Sequence, residues 1–283
     1  MTTLAEGDVL PLTCTRSGTC CHGKEVWLNP WELACLAAAR GLSAVEFCVA
    51  HTDLGGIRLR FDGPLGYRGL PACSQYDPAS GCRAHTGRPL ACRLYPLGRE
   101  RRAGKPARYI HEGRRFPCLA GCPDVSTLPH LRVADYVAGQ GVAAGATVQD
   151  AYVEMMQDLA EGAFVLLLDS GLMQSRGSVA LKRFKQVAAF TDQERTAALP
   201  ADWLAALMLP ELDPREGLVF AAAHHAALQE RAQTAFSRLS DPAAIEDAMA
   251  LMLGLALHCG RACGVDIAHA ARTWIGRLPE VKP

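Results

Sequence analysis

The chain has 283 residues, of which 49% are hydrophobic, so it can bury a sizeable core and is not expected to be disordered. Its 29 basic and 29 acidic side chains balance, which argues against binding through overall charge. No basic segment followed by an apolar run stands at the N-terminus, and the longest apolar stretch, 248–257, is about half of a membrane span. These features predict a soluble, cytoplasmic protein without a membrane partner.

Loop signals dominate the chain up to residue 125, which is rich in Cys, Gly, Pro and Arg. Asn29-Pro30 and Ser43 each predict the start of a short helix. The segments 57–61 and 108–111 are predicted to be short strands. None of these elements is long enough to organise a domain by itself, so a bound metal would supply the missing cross-links.

The rest of the chain has helical periodicity. Apolar side chains recur at helical spacing over 148–164, 218–236 and 245–263, and Asp241-Pro242 is a typical helix start. The predicted fold is therefore mainly α. A Cys-rich, loop-dominated metal-binding domain with short helices and strands occupies residues 1–125, and an all-helical bundle occupies residues 126–283.

Ten of the twelve cysteines lie at or before residue 122. A secreted disulfide scaffold would normally be shorter and carry an export signal. In a reducing cytoplasm, a local group of cysteines is typical of a metal site, with disulfides or inert buried thiols as the alternatives. The first 122 residues are therefore predicted to hold a metal through thiolates.

Eight cysteines in three groups are the candidate metal ligands. They are Cys14, Cys20, Cys21, Cys73, Cys82, Cys92, Cys118 and Cys122. Adjacent cysteines such as Cys20 and Cys21 rarely serve one tetrahedral zinc ion, whose usual element is C-x2-C. The adjacent pair favours a polynuclear centre, or two sites that share a wall.

Two sequence blocks carry a family resemblance: VWLNPWE at 26–32 and, more specifically, CRAHTGRPLACRLYP at 82–96. With them the chain resembles the CxxCxxCC family of zinc- or iron-chelating domains over about residues 10–140. Ser17 stands where the family has its second cysteine, so the first group offers three thiols instead of four. The loss of this ligand favours a reduced or rearranged site, in which Cys118 or Cys122 takes its place.

Local charge favours an iron–sulfur cluster over zinc. Between Arg83 and Arg115 there are ten basic and two acidic residues, an excess of +8 in a chain whose net charge is zero. A cage of thiolates is anionic, and neighbouring guanidinium groups would lower cysteine pKa values and offset that charge. The alternatives are a solvated basic face and, more weakly, nucleic-acid binding, for which this segment has few aromatic residues. The prediction is one or two iron–sulfur clusters of the [4Fe-4S] type, with structural zinc as the alternative.

Three further residues are candidate cofactor contacts. His85 is expected to hydrogen-bond a ligand sulfur rather than to bind the metal. Arg88 and Arg93 flank Pro89 and would either bind an anionic group through paired hydrogen bonds or pack against the thiolates. Outside this region, Cys259 and Cys263 share the apolar stripe of one helix and are predicted to be buried, and His225 is predicted to be a core or interface residue.

Two classes of function fit the sequence. The first is an accessory, redox or metal-handling protein whose partner is another protein, and the sequence argues against nucleic acid as a partner. The second follows from the resemblance, because the same cysteine domain occurs in flagellin lysine N-methylases. It would imply an S-adenosylmethionine cofactor, and no catalytic residue can be named for it. The sequence has no Gly-rich phosphate loop, no G-x-S-x-G elbow and no H-E-x-x-H helix.

Overall fold

A computed structural model describes residues 2–11, 18–100, 108–111 and 125–278 of the chain. These residues contain eleven helices and nine short strands, so the prediction of a mainly helical fold with a loop-rich N-terminal part is confirmed. The chain separates into two compact units. The cysteine unit comprises residues 1–26, 35–51 and 59–147, and the helical unit comprises residues 27–34, 52–58 and 148–283. The predicted boundary at residue 125 stays a prediction.

The N-terminal half contains short elements. Its helices are α1 (Pro30–Ala39), α2 (Ala44–His51), α3 (Leu90–Leu94) and α4 (Val133–Gly139). Its strands are β1 (Thr2–Leu4), β2 (Val9–Pro11), β3 (Thr52–Asp53), β4 (Arg58–Leu59), β5 (Tyr76–Asp77), β6 (Gly81–Cys82), β7 (Gly98–Glu100), β8 (Arg108–His111) and β9 (His130–Arg132). The antiparallel sheet β1-β8-β7 is the largest, and the pairs β2-β9, β3-β4 and β5-β6 are separate.

Both early helices begin where the sequence predicts, through reciprocal side-chain caps. At the start of α1, the Asn29 side chain accepts a hydrogen bond from the Glu32 backbone N–H, and the Glu32 carboxylate accepts one from the Asn29 N–H. Ser43 and Glu46 make the same pair of bonds at the start of α2. Each cap satisfies backbone donors that have no partner inside the helix.

The cysteine unit has apolar core clusters of its own. One buried cluster contains Leu97, Val133 and Tyr136, and a second contains Leu90, Leu94 and Val142. Tyr109 and Val137 pack against both clusters. Further apolar side chains of the unit are buried as well, among them Leu36, Phe47 and Leu59.

The helical unit is built from longer elements. They are α5 (Val142–Asp169), most of which lies in this unit, α6 (Leu172–Ala189), α7 (Asp192–Ala198), α8 (Ala201–Met208), α9 (Gly217–Phe236), α10 (Pro242–Ala262) and α11 (Ile267–Ile275). The central helix is α10, which begins at the predicted Asp241-Pro242 cap and is buried along most of its length. A side chain at Gly162 would clash with Met252, and one at Gly260 would clash with Met156, so these glycines allow α5 and α10 to pack closely.

Of the described residues, α10 is the one helix that is long and apolar enough to cross a membrane, although α1 and α2 pass the same test together as a strongly bent pair. In α10, 72% of the most apolar window is buried within the protein. Burial of this kind is typical of a core helix.

His224, and not the predicted His225, is the buried histidine of α9. Its Nδ1 lies 3.0 Å from the Tyr152 hydroxyl and its Nε2 lies 2.9 Å from the carbonyl oxygen of Ala206. His225 is half-buried beside Asp158. The two neighbours point about 100° apart on the helix, so only tertiary packing decides which of them faces the core.

Candidate metal centre

Five of the predicted cysteine ligands line one cavity of about 290 Å³ in the cysteine unit. They come from two of the three cysteine groups and are Cys20, Cys21, Cys73, Cys82 and Cys92. None of the five forms a disulfide, and each is half-buried. The remaining candidates, Cys14, Cys118 and Cys122, lie outside the described residues, as does Ser17.

Backbone pairing joins the first and second cysteine groups. The Cys73 N–H donates a 2.8 Å hydrogen bond to the carbonyl oxygen of Cys21, and Gly23 N–H donates to Pro71. The turn before Cys20 needs a glycine, because Gly18 has a φ of 76° and a side chain there would clash with the Tyr76 ring. Segments far apart in sequence are therefore fixed side by side at the cavity.

Cys82 and Cys92 reach the same cavity from a hairpin and a short helix. Cys82 lies on β6 directly opposite Tyr76 of β5, which follows Cys73 closely. Cys92 lies on α3, and its N–H donates a hydrogen bond to the carbonyl oxygen of Pro89, which precedes the helix. Proline before the first turn fixes the entry of the chain into the helix, so the motif Arg88-Pro89 sets the direction in which Cys92 points.

Backbone N–H groups are directed at two of the sulfurs. The Gln75 N–H donates to Cys73 Sγ at 3.4 Å, and the Ala84 N–H donates to the Cys82 sulfur. Such bonds stabilise a thiolate and are a usual way in which proteins tune thiolate-bound metals. Gln75 is itself buried and accepts a hydrogen bond from Arg40, which fixes this loop.

Three of the cavity thiols, Cys21, Cys73 and Cys82, have raised pKa values when no metal is bound. A hydrogen bond with the Cys20 thiol, reinforced by burial, raises the pKa of Cys21 far above its usual range. Burial raises the pKa of Cys73 to about 12 and also raises the pKa of Cys82. A metal centre would have to displace these protons, so its binding is expected to be pH-dependent.

Neighbouring cations partly oppose the rise in the pKa values of the cavity thiols. Lys24 lowers the pKa of Cys21, and Arg88 and Arg40 lower the pKa of Cys82, although the hydrogen bond and burial outweigh them. The Lys24 ammonium lies 3.0 Å from the centre of the Tyr95 ring, which holds it at the cavity. Once a metal has displaced the protons, these cations would offset the negative charge of the thiolates.

The three predicted cofactor contacts differ in their position relative to the cavity. His85 and Arg88 line the cavity, whereas Arg93 is not among the residues that line it. Arg93 donates hydrogen bonds to the carbonyl oxygens of Arg88 and Thr86 at 2.8 and 2.7 Å. Arg88 donates to the His85 carbonyl oxygen. Both arginines thus brace the loop before Cys92, which matches the packing alternative more closely than anion binding.

Sequence reasoning missed several residues of the cavity. Lys24, Tyr136 and Gln140 line it, and Tyr136 donates hydrogen bonds to the carbonyl oxygens of Arg93 and Tyr95. His22, which the sequence gave no reason to expect in the core, is buried and packs edge-on against Tyr76 with ring centres 5.0 Å apart. Of these residues, only Lys24, three positions after Cys21, could have been found from its place in the sequence.

The other described cysteines lie apart from the cavity. Cys259 and Cys263 are buried in the helical unit, as predicted, and their thiols hydrogen-bond each other. Cys35 on α1 and Cys48 on α2 are half-buried. Within the described residues, no three Cys, His, Asp or Glu side chains converge on a point where they could hold a single metal ion.

A comparison with known protein families finds a match over a segment that includes all five cysteines of the cavity. Residues 13–109 match the family model of the CxxCxxCC zinc- or iron-chelating domain. No curated protein and no solved structure matches the chain. The CxxCxxCC domain is thus a metal-binding one, and it holds all five cysteines that line the cavity. The iron–sulfur cluster stays a prediction, and zinc and a methylase activity stay its alternatives.

Proposed function

We propose that the CxxCxxCC domain holds an iron–sulfur cluster, and that Cys20, Cys21, Cys73, Cys82 and Cys92 supply its ligands together with cysteines outside the described residues. The observation that carries the proposal is five thiols around one cavity of about 290 Å³, one more than a single tetrahedral zinc ion binds. A structural zinc ion needs four donors at about 2.0–2.3 Å from a single point. The ligands of a cluster bind separate iron atoms and so stand farther apart.

The donor set fits such a cluster chemically. Thiolates are the usual ligands of iron–sulfur clusters, and N–H groups directed at their sulfurs, as at Cys73 and Cys82, tune the reduction potential. Lys24 and Arg88 offset the negative charge of the thiolates. When bound, the cluster would supply one-electron redox chemistry, and the residues of this chain would fix its position and charge.

The half-buried state of the thiols supports a role in exchange with a partner. All five line the cavity without being fully enclosed by described residues. A centre near the surface can pass electrons or metal to another protein, whereas a purely structural centre gains nothing from exposure. An accessory redox or metal-handling role with a protein partner follows from this proposal.

Anaerobic purification tests the proposed cluster. The full chain should be brown, with broad visible absorption and equal amounts of iron and acid-labile sulfide. Mössbauer spectroscopy of iron-enriched protein then distinguishes one cluster from two. Colourless protein that contains stoichiometric zinc, and no sulfide after reconstitution with iron and sulfide, would contradict the proposal and favour a structural zinc site.

A further inference from the structure

The helix that carries Cys92 is too short to fix its own position. It is α3, which has five residues and makes about 1.4 turns. A helix of this length is not stable by itself in water, because the unfavourable first turn is followed by too few further hydrogen bonds. The direction in which the Cys92 side chain points therefore depends on contacts between α3 and the rest of the cysteine unit.

One set of contacts fixes the beginning and the buried face of α3. Arg93 donates a 2.8 Å hydrogen bond to the carbonyl oxygen of Arg88, in the loop that leads into the helix. Leu90 and Leu94 form an apolar cluster with Val142, the first residue of α5. Neither contact involves the carbonyl groups at the end of the helix, which have no partner inside it.

Tyr136 of α4 supplies hydrogen bonds at that end. Its hydroxyl lies 2.5 Å from the carbonyl oxygen of Tyr95 and 3.2 Å from that of Arg93. Only 5% of Tyr136 is exposed, and the residue lines the same cavity as Cys92. Because this hydroxyl bonds the backbone immediately after Cys92, it holds the end of α3, and the cysteine is fixed from both ends of its helix.

Tyr136 also acts on the cation beside the first cysteine group. The Lys24 ammonium lies 3.0 Å from the centre of the Tyr95 ring. Lys24 also lines the cavity and lies near Cys21, whose pKa it lowers. Because Tyr136 holds the Tyr95 backbone, its hydroxyl contributes to the position of a cysteine ligand and of a cation near a second cysteine.

We propose that Tyr136 is a positioning residue of the metal centre: its hydroxyl holds Cys92 in the direction that metal binding needs, and so slows the loss of the metal. This role rests on the proposed metal binding by the cavity, but it is the same for an iron–sulfur cluster and for zinc. Tyr136 acts through the backbone after Cys92 and is not itself a ligand. Groups that orient a metal ligand typically contribute about 10–100-fold to metal affinity.

Removal of the hydroxyl from the full, metal-loaded chain tests the proposal. Tyr136→Phe keeps the ring in its apolar cluster and should lose metal to a chelator at least about tenfold faster than wild type. While still loaded, it should also have a visible circular dichroism spectrum different from that of wild type, because the cysteine ligand has moved. Faster loss with an unchanged spectrum would mean that the hydroxyl only stabilises the domain, and would overturn the proposal.

Two further variants complete the series. Tyr109→Phe is the matched control, because Tyr109 packs against the same cluster, whereas it is Tyr136 that bonds the turn after Cys92. It should behave as wild type in both measurements. Gln140→Ala removes a longer hydrogen bond of 3.4 Å from Arg88 and should speed metal loss about two- to threefold. Equal effects of the two tyrosine variants, or a larger effect of Gln140→Ala, would contradict the proposal.

The same measurements separate the role of Tyr136 from the identity of the metal. If the wild type contains zinc instead of iron and sulfide, the cluster proposal fails, and cobalt(II) replaces zinc as the visible probe for the same variants. Wild-type rates and spectra in Tyr136→Phe, with either metal, would overturn the role of Tyr136 while metal binding by the cavity stands.

Discussion

Two pairs of neighbouring thiols, one in each unit, show how similar cysteine pairs come to have different chemistry. Cys20 hydrogen-bonds Cys21 in the cysteine unit, and Cys259 hydrogen-bonds Cys263 in the helical unit. In each pair this bond, reinforced by burial, raises the pKa of the second cysteine. Without a metal, Cys21 and Cys263 are therefore neutral thiols.

Their charged neighbours distinguish the two pairs. Lys24 lowers the pKa of Cys21, whereas Glu32 and Asp150 raise the pKa of Cys263 further. A thiolate is stabilised by a cation and destabilised by an anion, so only the first pair lies where a metal can replace its protons at low electrostatic cost. The charge around a pair of thiols, and not the pairing itself, therefore decides whether the pair can bind a metal or serves as part of the core.

The largest effect is expected when a cysteine that lines the cavity is replaced. Cys20→Ala or Cys92→Ala should lower metal affinity by more than about 100-fold, because loss of a ligand exceeds the effect of losing a group that merely orients one. Both variants should also lose solubility. Cys259→Ala is the matched control, and it should keep the full metal content and cost about 1–2 kcal/mol of stability through a small cavity. Metal per chain, measured by elemental analysis, gives the result, and full retention in Cys92→Ala would mean that this ligand is misassigned.

Acid should affect the helical unit through a histidine rather than a thiol. Burial lowers the pKa of His258, which lies near Arg195 and Asp192, from 6.5 to about 3. The unfolded chain therefore binds a proton that the folded chain does not, so this stability is complete above pH 6.5 and is lost as the pH falls toward 3. At pH 4.5 the loss should be about 2–3 kcal/mol.

His258→Leu should remove that part of the acid sensitivity, and the exposed His269→Gln is its control. Urea unfolding at pH 7.5 and 4.5 measures the effect. Tryptophan fluorescence reports the helical unit alone, because all four tryptophans, Trp27, Trp31, Trp203 and Trp274, lie in it. An equal loss of stability in wild type and His258→Leu between the two pH values would show that another group titrates.

The smallest effect is expected when the cation nearest to the thiols, Lys24, is replaced. Lys24→Met should weaken metal binding about fivefold, since one partly buried cation near the thiolates contributes about 1 kcal/mol. Lys185→Met, on the exposed face of α6, should leave it unchanged. Competition with a chelator at fixed pH measures both affinities. If the two lysine variants bind metal equally well, the cation near Cys21 has no part in holding the centre.

Local sequence patterns predict much of this protein correctly because the interactions behind them are local. The caps at Asn29 and Asp241 determine where α1 and α10 begin. Helical periodicity predicts the long helices and the burial of Cys259 and Cys263, because one stripe of a helix faces the core. The block 82–96 identifies the domain, since its cysteines, arginines and prolines recur at fixed spacing.

Tertiary structure alone decides how these parts meet. The hydrogen bond from Cys73 to Cys21 and the contacts of Tyr136 with the loop after Cys92 join residues that no sequence period relates. Packing buries His224 rather than its neighbour His225. The sequence by itself determined which residues can bind a metal or begin a helix. Only the fold decided which of them share a cavity, because burial and charge compensation depend on neighbours that are distant along the chain.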